Sequence, residues 1–219
     1  MFIKVAALFA IMVALFGLLS APATADTITY TDSIPLSATG WSDSVSVPKF
    51  DPALGTLNSI EYTLSGHVEG TAAFENQSPS EATITMDLSA ILKLQRPDLT
   101  TIVITIPVAS TSDDVTAYDG VLDYGGTSGR THSNLSNDLS ESITSSSAAD
   151  LSLFTGTGNI SLPVEAGGAS SGSGSGTLIL QFSTAASAEV EVIYNYTVPE
   201  PATMGLLSLG GLALIRRRK

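Results

Sequence analysis

The sequence predicts an all-β protein: an antiparallel β-sandwich, jelly-roll-like or Ig-like, flanked by an N-terminal signal helix and a C-terminal membrane helix. Three observations predict it. Between Asp26 and Val198, apolar residues recur at every second position in several stretches, the spacing of strands with one wet face. Gly, Pro, Asn, Asp and Ser cluster between those stretches, as the turns of a sandwich do. Apolar runs without acidic residues lie outside this region, one at each end of the chain.

The first run belongs to a leader, Met1–Ala25. Lys4 is its positive start, Val5–Leu19 its apolar centre, and Ser20-Ala21-Pro22 breaks the helix. Ala23-Thr24-Ala25 matches the small-x-small cleavage pattern, so the cut is expected after Ala25.

The expected domain, 26–197, then opens with Thr27–Tyr30 and Ser42–Val47 as strands. Lys49–Leu57, KFDPALGTL, reads as a tight corner. Pro52 fixes φ, the Asp51 carboxylate reaches backbone amides ahead of it, and Gly55 supplies positive φ. Phe50, Leu54 and Leu57 are expected to pack beneath the corner. In Ser59–Phe74, residues Ile60, Tyr62, Leu64 and Val68 share one parity, and Gly66 and Gly70 mark bulges or bends. Glu75–Pro79 is the turn. Ala82, Ile84, Met86, Leu88, Ala90 and Leu92 share one parity in the next strand, Glu81–Leu94, with Thr83, Thr85, Asp87 and Ser89 on the other.

Thr100–Val108 reads as a buried strand ending at Pro107. Val115–Leu122 reads as a short strand within the polar, turn-rich Ser110–Ser147. Leu135, Leu139 and Ile143, four apart, fit either a helical turn or a polar β edge. Leu151–Phe154 and Gly158–Val164 read as strands around Gly156, and Glu165–Gly176 as a flexible, low-complexity loop. Thr177–Phe182 and Ala188–Thr197 read as the last two strands. Val190, Val192, Tyr194 and Tyr196 form the apolar side of the second.

Charge narrows the partners. The whole chain carries −12, but Asp26–Val198 has four cations against 20 acids, a net of −16. Such a surface repels phosphate backbones and anionic headgroups, so no nucleic-acid partner is expected. There is no cysteine, hence no disulfide, thiol catalysis or thiolate metal site. His67 and His132 lack metal spacing, and Gly172-Ser173-Gly174 lies in a low-complexity tract rather than a nucleophile elbow. The sequence therefore predicts a non-enzyme without a required cofactor. Asp113, Asp114, Asp119 and Asp123 are the densest acidic cluster. They are calcium candidates through their oxygens, with a solvated acidic face as the alternative. Trp41, Tyr118 and Tyr124 near turns are candidates for a sugar platform. Asn76, Asn134, Asn159 and Asn195 each begin an N-x-[ST] match.

The second run closes the chain. Val198, Pro199, Glu200 and Pro201 form a stiff motif, Thr203–Ile215 an uncharged apolar segment, and Arg216, Arg217, Arg218 and Lys219 a basic tail. Thirteen residues make about 20 Å of helix, short of the ~30 Å hydrocarbon core. The segment suits a transient hold better than a permanent anchor. Lys4 and the tail both stay cytoplasmic under the positive-inside rule, which exports the domain between them.

This tail resembles a PEP-CTERM sorting signal, the substrate of the membrane protease–transpeptidase exosortase. The resemblance implies an inner-membrane-anchored precursor, passed by the secretion translocon and cut by exosortase, then a cell-surface or extracellular protein. Tails of this kind are also catalogued as an ice-binding protein C-terminal domain, a heading that implies nothing about the domain's ligand. Val47–Leu57 and the strands around Glu75-Asn76 resemble the choice-of-anchor E family of exported β domains. That likeness implies surface display and carries no catalytic residues. The function read from the sequence is a structural or adhesive surface protein. A secreted module binding extracellular polysaccharide or calcium is the alternative.

Overall fold

The computed structural model describes residues 24–174 and 176–199. It is a sandwich of two antiparallel sheets. The first has the order β1 (Thr24–Ala38), β10 (Leu178–Val198), β3 (Thr56–Asn76), β7 (Gly129–Ser145). The second has β2 (Trp41–Pro48), β8 (Asn159–Gly168), β4 (Ala82–Gln95) and β5 (Thr101–Thr105). There β6 (Val108–Val115) continues the line of β5 along β4, and β9 (Ser171–Ser173) continues that of β8. The expected signal and membrane helices lie outside the described residues. Among the described residues no helix is long and apolar enough to cross a membrane.

Most period-two residues meet in one core, while Ala82, Ile84 and Met86 of β4 join Phe74 and Val115 in a second, smaller cluster. Ile60, Tyr62, Leu64 and Val68 of β3 and Val190, Val192 and Tyr194 of β10 are buried against Leu88, Leu92 and Leu94 of β4 and Leu162 and Val164 of β8. Small residues set how closely strands and sheets approach. A Cβ on Gly66 would stand 2.8 Å from Thr105 Cγ2 and 2.9 Å from Leu92 Cδ1 on the facing sheet. Gly70, at a register shift between β3 and β7, leaves room for the Ser183 carbonyl of β10.

Five expectations change. Leu151–Phe154 is not a strand but the end of helix α1 (Ala148–Phe154), capped by Ser147, whose hydroxyl accepts from Asp150 N. The strand expected at Val115–Leu122 ends where it was to begin, because β6 is Val108–Val115. The two last strands are one, β10, which is 21 residues long. Part of Glu165–Gly176 is ordered as the end of β8 and as β9, since β4 supplies partners to a stretch with few side chains. Leu54 is 42% exposed, so only Phe50 and Leu57 lie under the corner.

The strand directions give the sandwich two poles. One holds Thr24, the corner at Pro52–Leu54, the turn after Gln95, α1 and Val198. The other holds the Asn76–Ala82 turn and the 116–128 loop. Twenty residue steps of β10 separate them, about 65 Å at the usual strand rise.

Candidate functional site

The terminal pole is where the sequence signals converge. β1 and β10 run antiparallel, with Thr24 opposite Val198 and Ala25 opposite Thr197. On its other side Thr197 pairs with Thr56 of β3. The start and end of the domain are thus neighbours, and Pro199 follows the last paired residue. Among the sorting residues, Val198 ends β10 and Pro199 is exposed. Glu200, Pro201, Arg216, Arg217, Arg218 and Lys219 lie outside the described residues, as does Ala23 of the cleavage pattern; Ala25 lies in β1.

The corner holds the end of β10. Pro52–Leu54 form a 3₁₀ turn, and the Asp51 carboxylate accepts from Ala53 N at 2.9 Å. Gly55 follows with φ +152°. A side chain there would run into the Thr197 carbonyl and come within 3.3 Å of Val198 Cα, so the backbone passes where only glycine fits. Asn58 Nδ2 donates to Thr197 Oγ1 at 2.6 Å.

Aromatic rings fill the pole beneath. Phe50 lies 5.9 Å from Tyr194 and 5.1 Å from Tyr196, and Phe154 lies 5.3 Å from Tyr62, centre to centre. The Tyr194 hydroxyl donates to Pro48 O at 2.8 Å, and burial raises the phenol's pKa. Phe50 N donates to Phe154 O and Gly156 N to Phe50 O, which ties the corner to the chain around α1. Arg96 Nε and Nη2 donate to Asp150 Oδ1 and Oδ2 at 2.6 and 2.8 Å, fastening the turn after β4 to α1. The guanidinium, with help from the Ser145 and Ser147 hydroxyls, holds the Asp150 carboxyl down to a pKa of about 2. Sequence reasoning missed this pair. The only local signal was Ser147 three residues before Asp150, the spacing of a helix cap.

The remaining candidates do not converge. Successive residues of β6 face opposite ways, so Asp113 Oδ2 accepts from His132 Nε2 at 2.7 Å while Asp114 accepts from Thr83 on the other face. Asp119 and Asp123 accept from Val121 N and Gly125 N within their own loop. The fold thus does not gather these four aspartates into one oxygen cluster. Among the described residues no three His, Asp or Glu are grouped to hold a metal ion. His67 of β3 bridges Asp138 of β7 at 2.7 Å and Glu69 at 3.4 Å, and these carboxylates raise its pKa. Trp41 packs half-buried on the core and donates to Ala186 O, away from Tyr118 and Tyr124 in the far-pole loop, so no common platform forms. Asn76 is fully buried, and its amide donates to Ser80 O and Thr116 O. It is closed to modification in the folded domain.

A family model described as the PEP-CTERM protein-sorting motif matches residues 197–219. It begins at Thr197, the last residue of β10 that is paired on both sides. No curated protein matches the chain. Among solved structures, the chain is similar to one of an infectious bursal disease virus particle, with 12% identity and a TM-score of 0.23, covering 81% of this chain and 41% of that one. A chain of the Gx strain of the same virus gives 16% identity and a TM-score of 0.21, covering 91% and 49%. This chain thus spans less than half the length of those chains, and TM-scores of this size carry no argument.

Proposed function

We propose that the sandwich of this PEP-CTERM protein is displayed at the cell surface or in the extracellular matrix as a structural or adhesive body. The motif marks an exported protein sorted through exosortase. One observation carries the reading: both ends of the domain meet at one pole, and the sorting motif leaves from the last paired residues of β10. A precursor tethered there presents the rest of the sandwich outward, with the far pole about 65 Å away.

The outward faces support a contact role. On the second sheet, Thr83 donates to Asp114, Thr85 and Ser112 share a hydrogen bond, and Ser110 donates to Asp87. On the first, Thr63 pairs with Ser142 and Ser140 donates to Ser65. These rows of short hydroxyls and carboxylates suit hydrated, hydroxyl-rich polymers. The likeness of Val47–Leu57 to the choice-of-anchor E domains agrees with surface display.

The sorting half has a direct test. Glu200→Ala, or deletion of residues 216–219, is expected to leave full-length, leader-free protein in the membrane fraction. Released or surface protein should fall at least about ten-fold, since a motif contact worth one to two kcal/mol already changes turnover by that order. Unchanged processing in both variants would refute the reading.

A further inference from the structure

The expected leader site and the first residue of the sorting motif share one ladder, Thr24 and Ala25 lying opposite Val198 and Thr197. In the described fold β10 is paired on both sides from Ala185 onwards, Leu178–Thr184 pairing with β3 alone, and the cover thins again at its end. Thr197 is paired on both sides, with Ala25 of β1 and Thr56 of β3, whereas Val198 is paired only with Thr24. The leader cut expected after Ala25 removes both Thr24 and Ala25. The mature strand then begins at Asp26, which pairs with Tyr196 and whose carboxylate accepts the Tyr196 hydroxyl at 3.1 Å.

Removal of those two residues opens one edge and leaves the other closed. Paired residues of an antiparallel ladder alternate between those that exchange both hydrogen bonds and those that exchange none. The Thr197 carbonyl faces Gly55 on the β3 side, so Thr24–Val198 is the pair that carries two bonds, and its loss frees the N–H and C=O of Val198, directly before Pro199. The opposite side stays fixed by the Thr56 pairing, the Asn58 amide and the close pass of Gly55. The freed edge is held extended rather than frayed. A protease that takes its substrate by strand addition needs such an edge.

We infer that leader removal licenses the sorting cut: the last two leader residues occupy the strand edge, at Thr197–Val198, on which exosortase docks. The order has a use. A tail cut made first would leave the domain tethered by its leader. The inference rests on the sorting reading above and adds the sequence of events to it.

The test restores the cover after the leader has gone. Inserting Thr-Thr between Ala25 and Asp26 leaves a mature chain with two new residues opposite Thr197 and Val198. Inserting a single Thr adds one residue, opposite Thr197, whose own N–H and C=O face β3 and not β1, and leaves Val198 uncovered. Each variant is made as the full chain in the producing cells and followed by pulse-chase, with both termini read by mass spectrometry. Tail cleavage is expected to slow about five-fold for Thr-Thr, the factor set by one restored pair of backbone hydrogen bonds. For the single Thr it should stay near the wild-type rate. Equal rates in wild type and both variants overturn the inference, as does equal slowing of both variants or a leader cut elsewhere than after Ala25. Glu200→Ala separates the two readings. If it blocks the tail cut while Thr-Thr has no effect, only the order of events falls; if it does not block the cut, the sorting reading falls.

Discussion

Asp150→Ala is expected to lower the unfolding free energy by about 3 kcal/mol, the cost of leaving one partner of a buried ion pair alone. The Asp150 side chain is 3% exposed and Arg96 26%, so the arginine regains some water and the loss stays at the lower end of that class. A domain of this size should melt roughly 6–12 °C lower for such a change. The pH dependence follows from the same geometry. The carboxyl is held below its ordinary value, at about 2, because Arg96 and then Ser145 and Ser147 bind its charged form. Its contribution is therefore complete above the ordinary carboxylate pKa and fades as pH falls through about 2. With a shift of this size it amounts to about 2 kcal/mol. Urea unfolding of wild type and variant should differ at pH 7 and converge towards pH 2. A constant difference across that range would show that Asp150 acts through packing and not through its charge.

How much of this was legible depends on what each stretch shows. The strand from Ala82 to Ala90 was readable because every second residue is apolar and buried while the residues between are Thr, Asp and Ser. The end of β10 was readable for the same reason. Its middle was not. Ala185-Ala186-Ser187 carries no apolar alternation, yet Ala186 is fully buried. Small residues suit a place where strands pass as close as Gly70 and Ser183 do, and small residues leave no pattern to read. Leu135, Leu139 and Ile143 were ambiguous because a spacing of four fits one face of a helix and one face of a strand equally. Their β7 strand lies at a sheet edge, where Leu139 and Ile143 remain 39% and 47% exposed. Of the candidate site, the tail and the Asp51 corner could be read locally. The pairing of Thr24 with Val198 and the bond from Arg96 to Asp150 could not, because each joins residues that only the folded sheets bring together.

The clearest case of such hidden dependence is Phe154. Sequence placed it in a strand; the structure places it at the end of α1, fully buried, with its ring 5.3 Å from Tyr62 and 6.3 Å from Tyr194. The short helix plugs the terminal pole of the sandwich with that ring. Phe154→Ala would leave a ring-sized void over the inner face of β3 and β10, whose backbones are fixed by their ladder and cannot close it. The expected loss is about 4 kcal/mol, near the middle of the range for buried phenylalanines. Phe154→Leu, which fills most of the volume, should lose about 1–2 kcal/mol. Tyr62→Phe provides the contrast at the same spot. The Tyr62 hydroxyl is buried without a hydrogen-bond partner among the described residues, and burial raises its pKa. Deleting that hydroxyl removes no bond and relieves its desolvation, so stability should hold or rise by up to about 1 kcal/mol. Chemical denaturation of the three variants ranks these effects directly. A Phe154→Ala domain that keeps the wild-type midpoint would mean that the pole is sealed by the corner and β10 alone. The ring would then have no part in holding the strand from which the sorting motif departs.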